Sequence, residues 1–338
     1  MPNYVLYNND QAVARFEYVH GMIKAYEPVH DELLPMQIRM ASPEGFTGWI
    51  RERAIDLNAV QHRNLVSDIL GSRDKVHLAL ITHMFSISDT FTCFEEGEFV
   101  PRKRLCNPQE HETISNYILL TSDTSVRKTL ITPNVSTDGS FTKTWKFENE
   151  EWWLYKLQSS DATRSEVEIS RVLMACGWDA AEYQYVGSYR KRVRSRSFLG
   201  EDEFFEPYDS FRYAFEDVSE DENVIMENIS SLGDAFRRAW KRILIADALF
   251  LNGDRHMRNF GVIRSAKTGE ALRLAPNFDN NQAFRGNPAG RYSPALLRLY
   301  WKTADTEDRA NLQELLAACE KNRYLAEAWQ AGRDILNA

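Results

Sequence analysis

The sequence predicts an α+β fold of two lobes, one strand-rich and one helical, behind an N-terminal α/β appendage. Three observations carry this reading. At 338 residues the chain exceeds ordinary single-domain size, so two coupled lobes or a large appendage is expected. From Thr132 onward β-branched and aromatic residues flank the turns Asp138-Gly139 and Glu148-Asn149-Glu150, the pattern of a hairpin series. From Gly233 apolar residues recur at helical spacing. The boundaries that follow are 1–128 for the appendage, 129–222 for the strand-rich lobe and 223–338 for the helical lobe.

The elements justify themselves in order. Tyr4–Tyr7 and Ala12–Tyr18 read as strands around Asn8-Asn9-Asp10, residues that tolerate the positive φ of a hairpin turn. Trp49-Ile50 and Asn58–Leu70 have helical spacing, with Gly71 as a stop. Ser165–Cys176 is a helix closed by Gly177, and a strand at Tyr183–Tyr189 follows it. Gly233–Leu251 is the strongest helix, with Phe236, Trp240, Ile243, Leu244, Ala248 and Leu251 in one stripe and Asn252-Gly253 ending it. A strand at Gly261–Ile263, a turn at Lys267-Thr268-Gly269 and the segment Ala271–Asp279 come next. From about Ser293 the chain reads as helical.

Composition narrows the function classes. A net charge of -8 and a pI near 5.5 give no general attraction for nucleic acid or an anionic membrane surface. Cys93, Cys106, Cys176 and Cys319 lack the spacing of a zinc site or a disulfide framework. The seven histidines show no H-E-x-x-H spacing, and there is no G-x-S-x-G elbow, which disfavours zinc and serine hydrolases. With no leader-like N-terminus and no long apolar run, a cytoplasmic protein is expected.

The chemistry-bearing residues point to phosphoryl transfer, which needs positioned charge around a metal-bridged triphosphate and a carboxylate beside the attacking hydroxyl. Asp254 precedes Asn259 by five residues, the spacing of a catalytic-loop acid and a metal-binding amide, and Asp279 follows about one hairpin later. Lys156 ends an aromatic strand and Glu166 opens the next helix, the lysine–glutamate layout that holds nucleotide phosphates; Glu168 is the competing glutamate. Ser136–Lys143, with Gly139 at its centre, has the composition of a phosphate-covering loop and equally of a D-G hairpin turn. Arg190, Arg192, Arg194 and Arg196 share one strand face, to bind acidic partners or to be neutralised by Glu201–Glu206 and Glu216–Glu222. Trp145, Trp152 and Trp153 read as packing residues.

Three features together resemble the HipA-like serine/threonine kinases. They are S-x-x-G-x-x-x-K from Ser136 to Lys143, Lys156 with Glu166, and N-G-D-R-H-x-x-N-F-G from Asn252 to Gly261 followed by Phe278-Asp279-Asn280. The resemblance spans about residues 130 to 290. It implies a two-lobed protein-kinase-like fold, ATP and Mg2+ as cofactors, and a protein substrate, with room for a regulatory protein partner. It makes Asp254 the catalytic base, Asn259 and Asp279 the magnesium ligands, and Lys156 a contact to ATP phosphates. His256 would order the loop, and Ser136 would be an autophosphorylated residue. Asn281 stands where many relatives carry glycine, a substitution suited to a left-handed turn. The toxin–antitoxin role of HipA itself is not implied. A catalytically weak nucleotide-binding regulator and a small-molecule kinase remain open as alternatives.

Overall fold

A computed structural model describes residues 3–54, 74–105, 142–187, 191–284, 305–326, 330 and 333. The Asn58–Leu70 helix, the Asp138-Gly139 turn, Ser136, Gly139 and Arg190 lie outside the described residues. The chain forms two compact units that are discontinuous in sequence: Met1–Leu157, Leu199–Glu206 and Ile263–Leu272 make the first, and Gln158–Phe198, Pro207–Val262 and Arg273–Ala338 the second.

The first unit opens with an antiparallel sheet of β1 (Asn3–Asn8), β2 (Gln11–Val19), β3 (Met22–Pro28) and β4 (Phe91–Glu95), ordered β3-β2-β1-β4. The turn expected at Asn8-Asn9-Asp10 is present, with Asn9 at φ 50°. Helix α1 (Pro43–Glu52), capped by the Ser42 side chain, and helix α2 (Lys75–Ile81), capped by Asp74, cover the sheet. Their apolar faces join Leu6, Val13 and Phe16 in a core. Aromatic rings run through it, Tyr26 on Phe46 at 4.1 Å and Trp49 edge-on to Phe91 at 5.9 Å.

A second hairpin, β5 (Thr142–Glu148) and β6 (Glu151–Leu157), turns at Asn149 and Glu150, whose φ values of 52° and 66° are those of a two-residue primed turn. Trp145 and Trp152 pack with Phe85, Ile87 and Phe94, and Trp153 is buried, as expected for packing residues.

A further sheet runs in the order Ala271–Leu274, Gly261–Ser265, Glu203–Pro207. Within the first unit it carries Arg264, a fully buried side chain paired with Glu206 at 2.5 Å. The same guanidinium donates to the carbonyls of Glu32, Leu34 and Gly269, so its charge is met by four partners rather than left to the protein interior. Gly269 is required twice over: its φ is 73°, and a Cβ there would stand 2.0 Å from the Glu32 carbonyl oxygen.

In the second unit helix α3 (Ser160–Ala175) starts at the Ser159 cap, five residues before the expected Ser165, and ends beside Gly177 at φ 68°. The early start follows from Ser159 accepting the Ala162 N–H, a cap signal upstream of the apolar stripe. Strands β7 (Tyr183–Tyr185) and β8 (Arg192–Arg196) pair antiparallel. The strand expected through Tyr189 is thus shorter, because Gly187 at φ 70° bends the chain. Arg194 Nη2 donates to Gln184 Oε1 at 2.8 Å, and Arg196 lies 3.8 Å from Glu182.

Helix α4 (Asp234–Phe250) matches the strongest expected helix. Its C-cap is Leu251 in the left-handed conformation, φ 52°, directly before the expected Asn252-Gly253, and the Asn252 N–H returns to the Asp247 carbonyl at 2.9 Å. Helix α5 (Thr306–Glu320) begins in a capping box between Asp305 and Asp308. Ile169, Val172 and Leu173 of α3, Ile245 and Leu249 of α4, and Leu312, Leu315 and Leu316 of α5 form the core. The described cysteines Cys93, Cys176 and Cys319 are buried thiols, and burial pushes Cys319 up to about 12. No helix among the described residues is long and apolar enough to cross a membrane.

Candidate active site

The site is built from the C-terminal end of α4. Asp247, on its last turn, is wholly buried inside an otherwise apolar stretch, a costly position for a carboxylate unless it is paired. Arg255 pairs with it through two bonds, Nε to Oδ2 at 2.8 Å and Nη2 to Oδ1 at 2.9 Å, and both side chains are fully buried. Asn252 adds a donor to Asp247 Oδ1 at 3.0 Å.

The rest of the Arg255 guanidinium holds two segments at once. Nη1 donates to the Asn259 carbonyl at 2.7 Å and to the Phe278 carbonyl at 2.6 Å. Nη2 donates to Asn280 Oδ1 at 3.1 Å and Asn277 Oδ1 at 3.3 Å. The loop bearing Asp254 and Asn259 is thereby fixed to the segment bearing Asp279. A planar fork of five donors suits this task, where lysine would offer a point charge.

Within the loop, Asn259 Nδ2 donates to the Asp254 carbonyl at 2.9 Å. That bond settles which way round the buried amide sits and makes Oδ1 the atom turned to a partner. Asp254 itself is exposed, the position required of a base that must reach an external hydroxyl. His256 is exposed, and its Nδ1 accepts the Arg258 N–H within the loop at 3.2 Å.

Asp279 is half-buried and left-handed, φ 61°. For a residue with a Cβ this is strained, and the surroundings hold it: its N–H donates to the Tyr183 hydroxyl at 3.1 Å, and Asn281 Nδ2 donates to its Oδ1 at 2.9 Å. The left-handed position expected at Asn281 is therefore occupied by Asp279, and Asn281 serves as a side-chain brace. Asn281 Oδ1 is a buried oxygen with no hydrogen-bond partner.

The donors here, the Asn259 amide oxygen and the Asp279 carboxylate, are hard oxygens. No group of three or more His, Cys, Asp or Glu residues stands ready for a metal among the described residues. This set fits Mg2+, which takes one or two carboxylates and completes its shell with water and substrate phosphates.

Of the remaining candidates, Glu166 is fully buried on α3 and accepts from Gln158 Nε2 at 2.5 Å. Its competitor Glu168 is engaged with the Tyr185 hydroxyl at 2.8 Å and Asn322 Nδ2 at 2.9 Å. Lys156 is 7% exposed on β6 in the first unit, directly across the hairpin from Lys143. Sequence reasoning missed Arg255, Asp247, Asn277 and Tyr183. The available signal was Asp247 itself, a carboxylate between Ala246 and Ala248 where the helical period demands burial.

No protein-family model matches the chain, and no curated protein does. Among solved structures, HipA from the Shewanella oneidensis MR-1 toxin–antitoxin complex of HipA, HipB and operator DNA matches with a TM-score of 0.61 and 11% identity. That match covers 99% of this chain and 91% of that one. The Helicobacter pylori proinflammatory kinase CtkA matches with a TM-score of 0.43 and 14% identity, over 58% of this chain and 90% of that one. The first likeness extends over nearly the whole backbone, and the chain has a HipA-like, kinase-type fold.

Proposed function

We propose that this chain is an ATP- and magnesium-dependent phosphotransferase acting on serine or threonine hydroxyls of a protein. The observation that carries the proposal is the Arg255 clamp: one buried guanidinium binds the Asn259 and Phe278 carbonyls, so Asp254, Asn259 and Asp279 form a single constellation. Asp254 accepts the proton of the attacking hydroxyl at its exposed carboxylate. Asn259 Oδ1 and the Asp279 carboxylate are the protein ligands for magnesium, which when bound neutralises charge on the phosphate oxygens. Lys156 is the candidate lysine and Glu166 the candidate glutamate for holding nucleotide phosphates, and Ser136, Gly139 and Lys143 are the candidates for the phosphate-covering loop. Autophosphorylation at Ser136 would add charge to that loop and repel ATP phosphates. The fold of HipA supports the reading at the level of architecture.

Labelled ATP and magnesium test it. The wild type is expected to bind nucleotide and transfer phosphate, and Asp279→Ala to lose both. A folded wild type that neither binds ATP nor labels itself or added protein removes the proposal.

A further inference from the structure

The second unit contains a cavity of about 150 Å3, lined by the end of α3, the first half of α4 and the segment before Asp279. Leu173 and Ile243 form its apolar wall, and Trp178, Arg238, Arg242 and Asn277 its polar one. We propose that it is a binding site for a small oxyanion, a carboxylate or a phosphate.

The polar atoms decide the ligand class. Trp178 is 4% exposed and Asn277 3%, yet the Trp178 Nε1 and Asn277 Nδ2 hydrogens have no acceptor, and Arg242 Nε also lacks one. The Asn277 amide is oriented by its other end: Oδ1 accepts from Arg255 Nη2 at 3.3 Å and from Asn280 Nδ2 at 2.8 Å, which leaves Nδ2 to the cavity. Tryptophan and arginine can only donate, so these unmet groups ask for an acceptor.

Charge agrees with this. Arg242 lies over the face of the Trp178 ring, 5.5 Å from its centre, with Nη2 3.5 Å from Asn311 Oδ1, and Arg238 stands one helical turn earlier. Arg238 meets Glu307 at 3.8 Å, and Asp179 at the cavity rim is exposed. A cation would find donors and guanidinium charge, and an apolar molecule would leave the buried donors unmet. The volume suits a ligand of a few heavy atoms, about that of benzene.

Occupancy reaches the loop through one amide. A ligand on Asn277 Nδ2 fixes the side chain whose Oδ1 supports Arg255, so the anion would firm the clamp on the Asp254 and Asp279 segments. This last consequence rests on the proposed phosphotransfer; anion binding itself does not.

The test therefore uses the full chain without nucleotide or magnesium, titrated with inorganic phosphate and separately with malonate, by calorimetry. Saturable binding is expected for at least one probe, phosphate alone assigning a phosphate site and malonate alone a carboxylate site. Trp178→Phe and Arg242→Gln should each raise Kd about tenfold or more, the effect of losing a hydrogen bond to a charged group. In the wild type, one indole N–H resonance, identified by its loss in Trp178→Phe, should move on titration. Failure of both probes to bind the folded wild type overturns the site. So does binding that moves no indole resonance or is equal in the folded variants, because the anion would then sit elsewhere.

Discussion

At the scale of single residues the account turns on Arg255. A buried ion pair is expensive to form and more expensive to break, because the surviving partner stays buried and charged. Arg255→Ala leaves Asp247 unpaired and is expected to cost about 3–5 kcal/mol of stability, read as a lowered urea midpoint. Asn281 supplies a sharper check. Were it the left-handed residue of the loop, Asn281→Gly would relieve strain. Since Asp279 holds that conformation at φ 61° and Asn281 braces it at 2.9 Å, the change should instead destabilise by about 1 kcal/mol, the net value of one hydrogen bond. A stabilised Asn281→Gly protein would contradict this assignment. The sequence displayed Asp254, Asn259 and Asp279 through their spacing. It concealed the clamp, because the partners of Arg255 come from positions up to 25 residues away, and a single chain does not announce which carbonyls a guanidinium will meet.

At the scale of elements, local signals were read well where the physics is local. The first hairpin, α3, α4 and the Glu148–Glu151 turn follow from turn residues and apolar period. The end of α4 is reached at Leu251, one residue before the expected Asn252-Gly253, in a left-handed conformation that its residue type disfavours. The β5–β6 turn offers a clean test of this kind. Glu150 is exposed and sits at φ 66° in the second turn position, where glycine is favoured. Glu150→Gly should stabilise the protein by about 1 kcal/mol, measured by urea denaturation. No gain would mean that the turn is not left-handed there.

At the scale of the whole molecule, acid sensitivity is expected from the first unit. His83 sits at φ 52°, stacks on Phe94 at 4.5 Å and bonds the Cys93 carbonyl at 2.9 Å. Burial lowers its pKa from the ordinary 6.5, outweighing the Cys93 bond that raises it. The unfolded chain then binds the proton more readily than the folded one, so the stability His83 contributes is intact above pH 6.5 and lost as pH falls below it. The urea midpoint should drop between neutral pH and pH 5.5 or so, and His83→Gln should flatten that part of the slope. An unchanged slope would assign the acid response to other groups.

The two-lobed α+β class was legible because alternating strand texture gives way to helical period along the chain. The discontinuity of the two units was not, since Leu199–Glu206 and Ile263–Leu272 join the first unit through pairing that no local pattern encodes.

The most direct test of the central claim is single-turnover phosphate transfer from labelled ATP by wild type and Asp254→Ala, with folding of both checked by circular dichroism. The account predicts transfer by the wild type and a loss of about 100-fold or more in the variant, the contribution of a positioned general base. Transfer by Asp254→Ala at the wild-type rate would contradict it.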